Sequence, residues 1–423
     1  MKMMLGAVPR RTVNLPPNTL GTLLRCAATR SVVDGPAREQ FSQQFARYLS
    51  VPHILGASSG RDAFQLALQA LDLAPGAEII FPAFTFPVMP MVAKLLGFRP
   101  VFCDVDPNTF NAGSEHIAAK LTADTGAVVA THLFGRPCDI EAIAELVRAR
   151  GIKLLEDCAH ACGVRVGGNP VGTFGDIGLF SFAEGKNMPC CGGGAIAVQD
   201  PATARRAEEI LRLSTPPAVS GTLKTAVSVW LKWLLTHPVI FGMTAYPVLR
   251  FKQLLGKPLM DSQVGDDLLA RFSAQNSPIV PLANLQAAVG LHQLKRIDAF
   301  NRGARENALL LTRELGSLPG LGVPQAAGED HIYVYYPLSL PPGKRDALRE
   351  HLLSRRIDSK VTDMSDCGRL KPFRPSASDA LDQGERLEAS LLEICVYPRI
   401  PQPEMIRIAR EVKAWVAKDS TAG

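Results

Sequence analysis

A lysine and an aspartate of this chain could together perform one kind of covalent chemistry. Lys186 follows Gly185, just past the apolar run that contains Phe180-Ser181-Phe182, and Asp157 ends an earlier apolar run. A lysine in such a place can form a Schiff base with an aldehyde cofactor. An aspartate at the end of a neighbouring strand can keep a cofactor's ring nitrogen protonated, which makes the ring an electron sink. The pair therefore indicates a pyridoxal phosphate (PLP) site.

A phosphate-binding turn is predicted upstream of both residues. Ser58-Ser59-Gly60 is followed by apolar residues spaced as on one face of a helix, so a helix is predicted to start near Arg61. These apolar residues are Ala63, Leu66, Ala67, Ala70 and Leu71. A small turn that opens a helix presents backbone amides and a partial positive charge, which suits a phosphate group.

Short apolar runs alternate with amphipathic runs over residues 59–198. The predicted strands cover residues 78–81, 100–103, 127–131, 152–156, 177–182 and 194–198, and a helix is predicted at 140–150. This alternation predicts an α/β fold with a largely parallel sheet wrapped by helices. Ligands bind at the carboxyl ends of the strands in such sheets, where Asp157 and the loop carrying Lys186 are expected.

The remaining sequence suggests a division into parts. A helix at 285–291, a strand at 331–340 and helices at 344–354 and 404–415 predict a smaller C-terminal α+β domain. We predict a basic N-terminal arm (1–34), a large PLP-binding domain (35–284) with a hydrophobic, basic insert (222–257), and the small domain (285–423).

Composition narrows the class of protein. The chain has 423 residues, 47% of them hydrophobic, 20% charged residues and a net charge of +6, which is typical of a globular enzyme and too modest to indicate nucleic-acid binding. Nine cysteines without metal-ligand spacing suggest reduced thiols and a cytoplasmic protein with no metal site. No secretory signal is predicted, because residues 1–33 lack a continuous apolar stretch.

Ordered motifs along residues 35–416 carry a resemblance to a known family. They are Gly35-Pro36, Ser59-Gly60, Pro82-Ala83-Phe84-Thr85-Phe86, Asp104-Val105-Asp106, Glu156-Asp157-Cys158-Ala159-His160, Val171-Gly172-Thr173-Phe174-Gly175-Asp176, Phe180-Ser181-Phe182, Gly185-Lys186-Asn187, Leu285-Gln286-Ala287-Ala288 and Val396-Tyr397-Pro398. With them the chain resembles the DegT/DnrJ/EryC1/StrS family of sugar aminotransferases, PLP enzymes of the aspartate aminotransferase fold (fold type I). The resemblance implies a mostly parallel, seven-stranded-type sheet in the large domain, and a homodimer.

The resemblance also implies roles for individual residues. Lys186 would carry the cofactor and, once freed by substrate, act as the base that moves a proton at the substrate's Cα. Asp157 would pair with the ring nitrogen. The amino donor would be a small molecule, glutamate by expectation, and the acceptor a keto-sugar.

Further cofactor contacts are implied for other positions. His160 matches a position near the ring's phenolic oxygen, and Phe86 matches the aromatic residue that stacks on the ring. Ser181 and the turn Ser59-Gly60-Arg61 would bind the phosphate.

Three segments depart from the family's pattern. Arg61 stands where a threonine is usual, so its side chain could pair with phosphate or point into solvent. Ile279-Val280-Pro281 replaces the Asn-x-Arg ahead of Leu-Gln-Ala-Ala, a contact to the neighbouring subunit's cofactor. The usual His-Tyr is absent from 359–363.

The insert has two interpretations. Residues 210–260 contain no acidic residue, and Trp230, Trp233, Phe241 and Tyr246 lie in an apolar run interrupted by prolines. The apolar lengths fall short of the ~20 residues that a membrane span needs. The insert could lie on an anionic membrane, at the inner face, with its aromatic residues at the interface. Alternatively, it packs as a helical hairpin between subunits.

Three functions are compatible with the sequence. The first is transfer of an amino group to a keto-sugar, nucleotide-linked or lipid-linked, in the biosynthesis of surface glycans, lipids or secondary metabolites. The second is dehydration of a sugar, although dehydrating relatives tend to replace the lysine by histidine and Lys186 is present. The third is an inactive, regulatory PLP-binding homologue, which only the lost Asn-x-Arg favours.

Overall fold

The structure is a computed structural model that describes residues 6–257, 269, 278–325, 331–374 and 381–422. Its strands are β1 (His53–Ala57), β2 (Glu78–Pro82), β3 (Phe84–Thr85), β4 (Arg99–Cys103), β5 (Thr125–Thr131), β6 (Lys153–Asp157), β7 (Arg165–Val166), β8 (Asn169–Pro170), β9 (Ile177–Ser181), β10 (Gly194–Val198), β11 (Tyr336–Ser339), β12 (Lys360–Val361), β13 (Ser365–Asp366) and β14 (Leu391–Ile394).

The helices surround these strands along the whole chain. They are α1 (Thr19–Ala28), α2 (Ala37–Leu49), α3 (Gly60–Ala70), α4 (Val88–Leu95), α5 (Ser114–Ala118), α6 (Ile140–Arg148), α7 (Pro201–Arg212), α8 (Val219–Leu235), α9 (Pro238–Met243), α10 (Ala245–Leu254), α11 (Asn284–Leu294), α12 (Ile297–Leu315), α13 (Arg345–Ser354), α14 (Asp382–Ser390) and α15 (Gln402–Ala422).

A seven-stranded sheet forms the centre of the fold. Its order is β1-β10-β9-β6-β5-β2-β4, and β10 alone runs against the other strands. All six strands predicted for this region are present, and the prediction of a mostly parallel sheet is confirmed. Strand β1 was not predicted, because its sequence, His-Ile-Leu-Gly-Ala, is short and lacks a period-two pattern.

Both faces of the sheet are covered by helices. Successive side chains of a strand point to opposite faces, and Val128 and Val129 accordingly enter different core clusters. Helices α2, α6, α11 and α12 pack on one face, and α3, α4 and α7 pack on the other. This arrangement leaves the carboxyl ends of β6 and β9 open for side chains that bind a ligand.

The C-terminal region contains a small antiparallel sheet of order β11-β14-β12. The strand predicted at 331–340 was too long, because only Tyr336–Ser339 is a strand. Tyr333 has a φ of 51°, which interrupts extended backbone. Its neighbours instead donate backbone hydrogen bonds to the loop at Phe134 and Gly135: Ile332 N–H to Gly135 at 3.0 Å and Val334 N–H to Phe134 at 3.0 Å.

The insert folds as three helices, α8, α9 and α10. Pro238 occupies the first turn of α9, where its missing N–H costs no helical hydrogen bond. The membrane interpretation expects the insert's aromatic residues at an outer interface, and the structure places only part of them there, since Phe251 is exposed. Phe241 and Tyr246 are buried, and Trp230 and Trp233 are half-buried against the core. In the part of the chain that the structure describes, no helix has the length and apolarity needed to cross a membrane.

We expect Gly178 to be essential for the packing of the sheet beneath the site. A Cβ atom at this position of β9 would overlap the backbone carbonyl of Gly172. Gly178→Ala should therefore lower the free energy of unfolding by roughly 1–3 kcal/mol, the usual cost of overpacking, as measured by urea unfolding.

Gly221 provides the matched control. It lies in α8, and the nearest atom to an added Cβ is 3.9 Å away. Gly221→Ala should leave stability unchanged or raise it by up to about 1 kcal/mol, because alanine favours helix more than glycine does. Equal unfolding midpoints for Gly178→Ala and the parent protein would contradict the assignment.

Candidate active site

One cavity of about 330 Å³ opens at the carboxyl edge of the large sheet. All the residues predicted to form the site line it: Ser59, Gly60, Arg61, Phe86, Asp157, His160, Ser181 and Lys186. They come from the ends of β1, β3, β6 and β9 and from the loops that follow. The structure therefore brings the predicted set together, and their individual roles stay predictions.

Lys186 and Asp157 form the buried, charged part of the cavity. Burial lowers the pKa of the Lys186 amine to about 8, and Asp157 offsets part of this shift. Burial also raises the pKa of Asp157, against the effects of the Ala159 amide and of Lys186. That amide donates a hydrogen bond of 3.0 Å to Asp157 Oδ1. A larger fraction of Lys186 than of an ordinary lysine is consequently uncharged near neutral pH, and the uncharged amine is the nucleophilic form.

The loop that carries Lys186 is fixed by several polar contacts. Two tyrosine hydroxyls, of Tyr335 and Tyr397, donate to the carbonyl of Gly185 at 3.2 and 3.1 Å. Asn187 Nδ2 donates to the carbonyl of Cys162 at 2.7 Å and to Asn301 Oδ1 at 2.9 Å. The lysine is thus presented from a rigid turn instead of a mobile surface loop.

His160 is a neutral hydrogen-bonding group at the wall of the cavity. The Phe134 amide donates to its Nδ1 at 3.3 Å, which leaves the ring proton on Nε2. Burial lowers the pKa of His160 well below its usual range, and Lys186 and Lys360 lower it further. Its imidazole can therefore donate a hydrogen bond from Nε2 without carrying charge.

Phe86 is a cavity residue and not part of the core. Its side chain is 36% exposed and faces the cavity next to Thr85 and Val88. A flat ring in this place can stack on an aromatic ligand.

The predicted phosphate turn begins helix α3. Ser59 is the N-cap, and its Oγ accepts a hydrogen bond from the Asp62 amide at 3.1 Å. A Cβ at Gly60 would lie 2.8 Å from Ser181 Oγ, so the absence of a side chain allows the turn and β9 to approach closely. Arg61 lines the cavity, with a side chain that is 38% exposed.

The segment that replaces Asn-x-Arg supports this turn from behind. The Ser58 amide donates to the carbonyl of Val280 at 2.7 Å, and the Leu282 amide donates to the carbonyl of Gly56 at 3.1 Å. Pro281 bridges to Ala57 in antiparallel fashion. In this chain the segment 280–282 therefore extends the edge of the sheet at β1.

The sequence did not predict several cavity residues from distant parts of the chain. They are Arg11, Thr131, Glu184, Tyr335, Asp363 and Met364, among others. His132 also lines the cavity, and its position after a predicted strand makes it a candidate for substrate contact from the sequence. Asp363 pairs with Lys360 at 2.6 Å, and Lys360 also pairs with Glu393 at 3.0 Å. His331 is the second histidine that the sequence places at a strand edge as a candidate for substrate contact; it is buried and is not among the residues that line the cavity.

PLP fits the residues present. The cavity offers a buried amine with a lowered pKa, a carboxylate close enough to affect that pKa, and a helix N-terminus opened by Ser59-Gly60. The glycine at this turn leaves room that a Cβ would fill. A helix N-terminus suits the phosphate, and the carboxylate suits a protonated ring nitrogen.

A family model covers most of the chain. The model of the DegT/DnrJ/EryC1/StrS aminotransferase family matches residues 17–224 and 279–413. The chain belongs to this family. The match leaves out residues 225–278, which include most of the insert.

Characterised relatives resemble this family member over nearly their whole length. A UDP-N-acetyl-3-dehydro-alpha-D-glucosamine 3-aminotransferase of Acidithiobacillus ferrooxidans is 27% identical over 90% of this chain and 89% of its own. A dTDP-3-amino-3,4,6-trideoxy-alpha-D-glucose transaminase of Streptomyces venezuelae is 27% identical over 91% of this chain and 88% of its own. The predicted family and the aminotransferase activity are confirmed.

Solved structures give the same fold. The aminotransferase TlmJ from Streptoalloteichus hindustanus superposes with a TM-score of 0.78 at 25% identity, over 98% of this chain and 100% of its own. DesV of S. venezuelae superposes with a TM-score of 0.74 at 25% identity, over 94% of each chain. The predicted fold type I is confirmed, and this family member is an aminotransferase whose cofactor is PLP.

We predict that covalent uptake of PLP by the cofactor-free protein depends on pH with a midpoint near 8. Only the neutral amine of Lys186 attacks an aldehyde, so the rate should rise as pH rises through its pKa of about 8. An ordinary lysine would give a midpoint near 10.4. Stopped-flow absorbance after addition of PLP measures the rate.

Asp157→Asn provides the second arm of this experiment. The Asp157 charge raises the pKa of Lys186, so its removal should move the midpoint to lower pH. A parent midpoint above 10 would contradict the assignment of Lys186 as a buried, partly neutral amine.

Proposed function

We propose that this aminotransferase moves an amino group from glutamate to a keto-sugar carried on a nucleotide or a lipid. The observation that carries the proposal is the convergence of Lys186, Asp157 and the Ser59-Gly60 turn on one cavity. Relatives named as sugar aminotransferases match nearly the full chain, which supports a sugar as the acceptor. Surface glycans, lipids and secondary metabolites are the products that such sugars enter.

Each of the predicted cavity residues would have its own role in the reaction. PLP, when bound, supplies a ring that withdraws electrons from the carbon attached to the transferred nitrogen. Asp157 would keep the ring nitrogen protonated, and Lys186 would take and return the proton at the substrate's Cα. His160 would donate from Nε2 to the ring's phenolic oxygen, Phe86 would stack on the ring, and Ser181 with Ser59-Gly60-Arg61 would bind the phosphate.

The alternatives receive less support. A dehydratase tends to lack the lysine, whereas Lys186 is present and buried with a lowered pKa. An inactive homologue would have no reason to keep Lys186, Asp157 and His160 in one cavity.

Lys186→Ala tests the proposed chemistry. The parent protein should show a visible cofactor band that glutamate bleaches, and the variant should lose this conversion by roughly 10⁴-fold or more, because the nucleophile and base are the same group. Absorbance spectra before and after adding L-glutamate measure the conversion.

Lys153→Ala is the matched control, since Lys153 pairs with Asp176 at 2.7 Å and does not line the cavity. L-glutamate should bleach the cofactor band of this variant as it does that of the parent. A parent band that no amino acid bleaches would exclude a transaminase reaction. Full conversion by Lys186→Ala would exclude the assigned role.

We further propose a homodimer in the cytoplasm that contacts anionic membrane through one surface of the insert. The insert face consists of Leu231, Leu235, Val248, Phe251 and Leu254, which are 44–68% exposed. Single apolar residues are ordinary on protein surfaces, but the insert exposes several of them on two of its helices, and larger exposed apolar surfaces mark contact sites. The homodimer is supported by the resemblance to fold type I enzymes.

Charge favours a membrane as the partner of the insert face. Residues 210–260 contain no acidic side chain, while Arg212, Lys224, Lys252 and Lys257 lie in the same stretch of sequence. Basic residues near anionic headgroups contribute about 1 kcal/mol each, and a protein interface does not require the absence of acids. The membrane contact would rest on aliphatic side chains and Phe251, since the other aromatic residues point inward.

The double variant Leu231→Glu/Phe251→Glu tests the membrane contact. Flotation with phosphatidylserine vesicles should fall by roughly tenfold or more, since each change removes an apolar side chain and adds a like charge to that of the lipid. Ile406→Glu is the control, because Ile406 is also exposed, at 54%, but lies on α15; it should float like the parent.

Two outcomes would contradict this part of the proposal. One is a parent protein that does not float with phosphatidylserine vesicles. The other is a double variant whose sedimentation shows a smaller oligomer, which would assign the insert face to a contact between subunits.

A further inference from the structure

An aminotransferase must bind the carboxylate of its amino donor, and few groups in the cavity can do so. Among the described residues that line it, the arginine and lysine side chains are those of Arg11, Arg61 and Lys186. The lining residue His132 is fully buried, with its Nε2 3.3 Å from Glu156 Oε2. Lys186 is needed for chemistry, and Arg61 is part of the turn assigned to phosphate. His160 is neutral because its pKa is lowered by burial. Arg11 remains as the cation available for a carboxylate.

Arg11 is held beside the loop of Lys186. Its Nη2 donates to Glu184 Oε1 at 2.8 Å, and its Nη1 lies 3.6 Å from where a Cβ of Gly185 would stand. The guanidinium group is therefore adjacent to the turn that presents the reactive amine. Its side chain is 37% exposed, so a ligand entering the cavity can reach it.

The backbone around Arg11 is fixed on both sides. Upstream, Arg10 pairs with the buried Asp358 at 2.8 Å, and the Val8 amide donates to the carbonyl of Arg356 at 2.9 Å. Downstream, Asn14 Nδ2 donates to the carbonyl of Asn187 at 2.9 Å. The N-terminal segment thus spans from the C-terminal region to the Lys186 loop, and Arg11 is oriented before any substrate arrives.

The contact with Glu184 uses only part of the hydrogen-bonding capacity of Arg11. A guanidinium group has five N–H donors, and the contact to Glu184 involves Nη2. Glu184 is also paired through its other oxygen with Lys232 of α8 at 2.8 Å. Its charge is therefore balanced by two cations, so Arg11 can accept a second carboxylate without leaving Glu184 unpaired.

We propose that Arg11 binds a carboxylate of the amino donor and is a specificity-determining residue of the transaminase. The inference rests on the proposed function, since it names how that site selects an amino acid. An arginine matches the geometry of a carboxylate better than a lysine does. The carboxylate is either the α-carboxylate, common to all amino acids, or the side-chain carboxylate of glutamate.

Arg11→Gln and Arg11→Lys test the proposal in single-turnover conversions. The L-glutamate concentration giving half the maximal rate should rise about 10- to 100-fold in Arg11→Gln, the usual effect of losing charged hydrogen bonds. The maximal rate should change much less. Arg11→Lys should recover part of the affinity, because it keeps the charge but not the paired donors.

Lys232→Gln is the matched control. It removes the other partner of Glu184 but does not line the cavity, so its half-saturating glutamate concentration should rise much less than that of Arg11→Gln. An equal rise in Lys232→Gln and Arg11→Gln would overturn the proposal, because the effect would then come from the Glu184 loop. So would a parental value in Arg11→Gln.

L-alanine separates the two sources of the carboxylate. If Arg11 binds the α-carboxylate, the half-saturating concentration of alanine should rise in Arg11→Gln by the same factor as that of glutamate. If Arg11 binds the side-chain carboxylate, only the half-saturating concentration of glutamate should rise. Either pattern supports carboxylate binding by Arg11.

Succinate binding keeps this test independent of turnover. Calorimetry on the PLP-loaded protein should show weaker succinate binding in Arg11→Gln than in the parent, by a similar factor. If no amino acid is converted by the parent, the proposed function fails, and the succinate comparison still decides the role of Arg11. Unchanged succinate affinity in Arg11→Gln would overturn it.

Discussion

The burial of a lysine and an aspartate in one cavity is the constraint on which the rest of the site depends. Burial disfavours the charged form of each group, and their mutual attraction favours it. For Lys186 the balance gives a pKa of about 8, so the amine can be neutral without leaving the site. Without Asp157, burial would lower the pKa of Lys186 further, because no opposite charge would then offset the loss of solvation.

This constraint explains much of the surrounding architecture. Asp157 ends β6, and the Lys186 loop follows β9, its parallel neighbour in the sheet. Parallel neighbours deliver their ends to the same edge, so two residues far apart in sequence meet without a long connection. The tyrosines that bind the Gly185 carbonyl then close the loop from the C-terminal side.

The strands and the core of the site could be predicted because their signals are local. Alternating apolar runs marked six of the seven strands of the large sheet, and the residues around Asp157, Ser59 and Lys186 lie within short motifs. The rest depends on contacts that no local pattern encodes. Arg11 reaches the cavity only because the N-terminal segment pairs with residues 356–358.

The direction of the side chains in the insert was the second feature that could not be predicted from the sequence. In an insert that is apolar all around, periodicity does not say which face is buried. Trp233 faces inward because Arg399 stacks on its ring at 4.8 Å, and Tyr246 does so beside Arg356 at 4.5 Å. The positive φ of Tyr333 could not be predicted from the sequence either. Because of it, the strand is shorter than the apolar composition of residues 331–340 suggests.

The pairing of β3 with β13 links the C-terminal region to the segment that carries Phe86. Ser365 pairs with Thr85, Asp366 pairs with Phe84, and the Cys367 amide donates to the carbonyl of Ala83 at 2.8 Å. Phe86 follows directly. Any hinge rotation that carries the C-terminal region towards or away from the sheet must therefore either pull this residue with it or break those hydrogen bonds. The position of Phe86 in the cavity wall is therefore coupled to the position of β13.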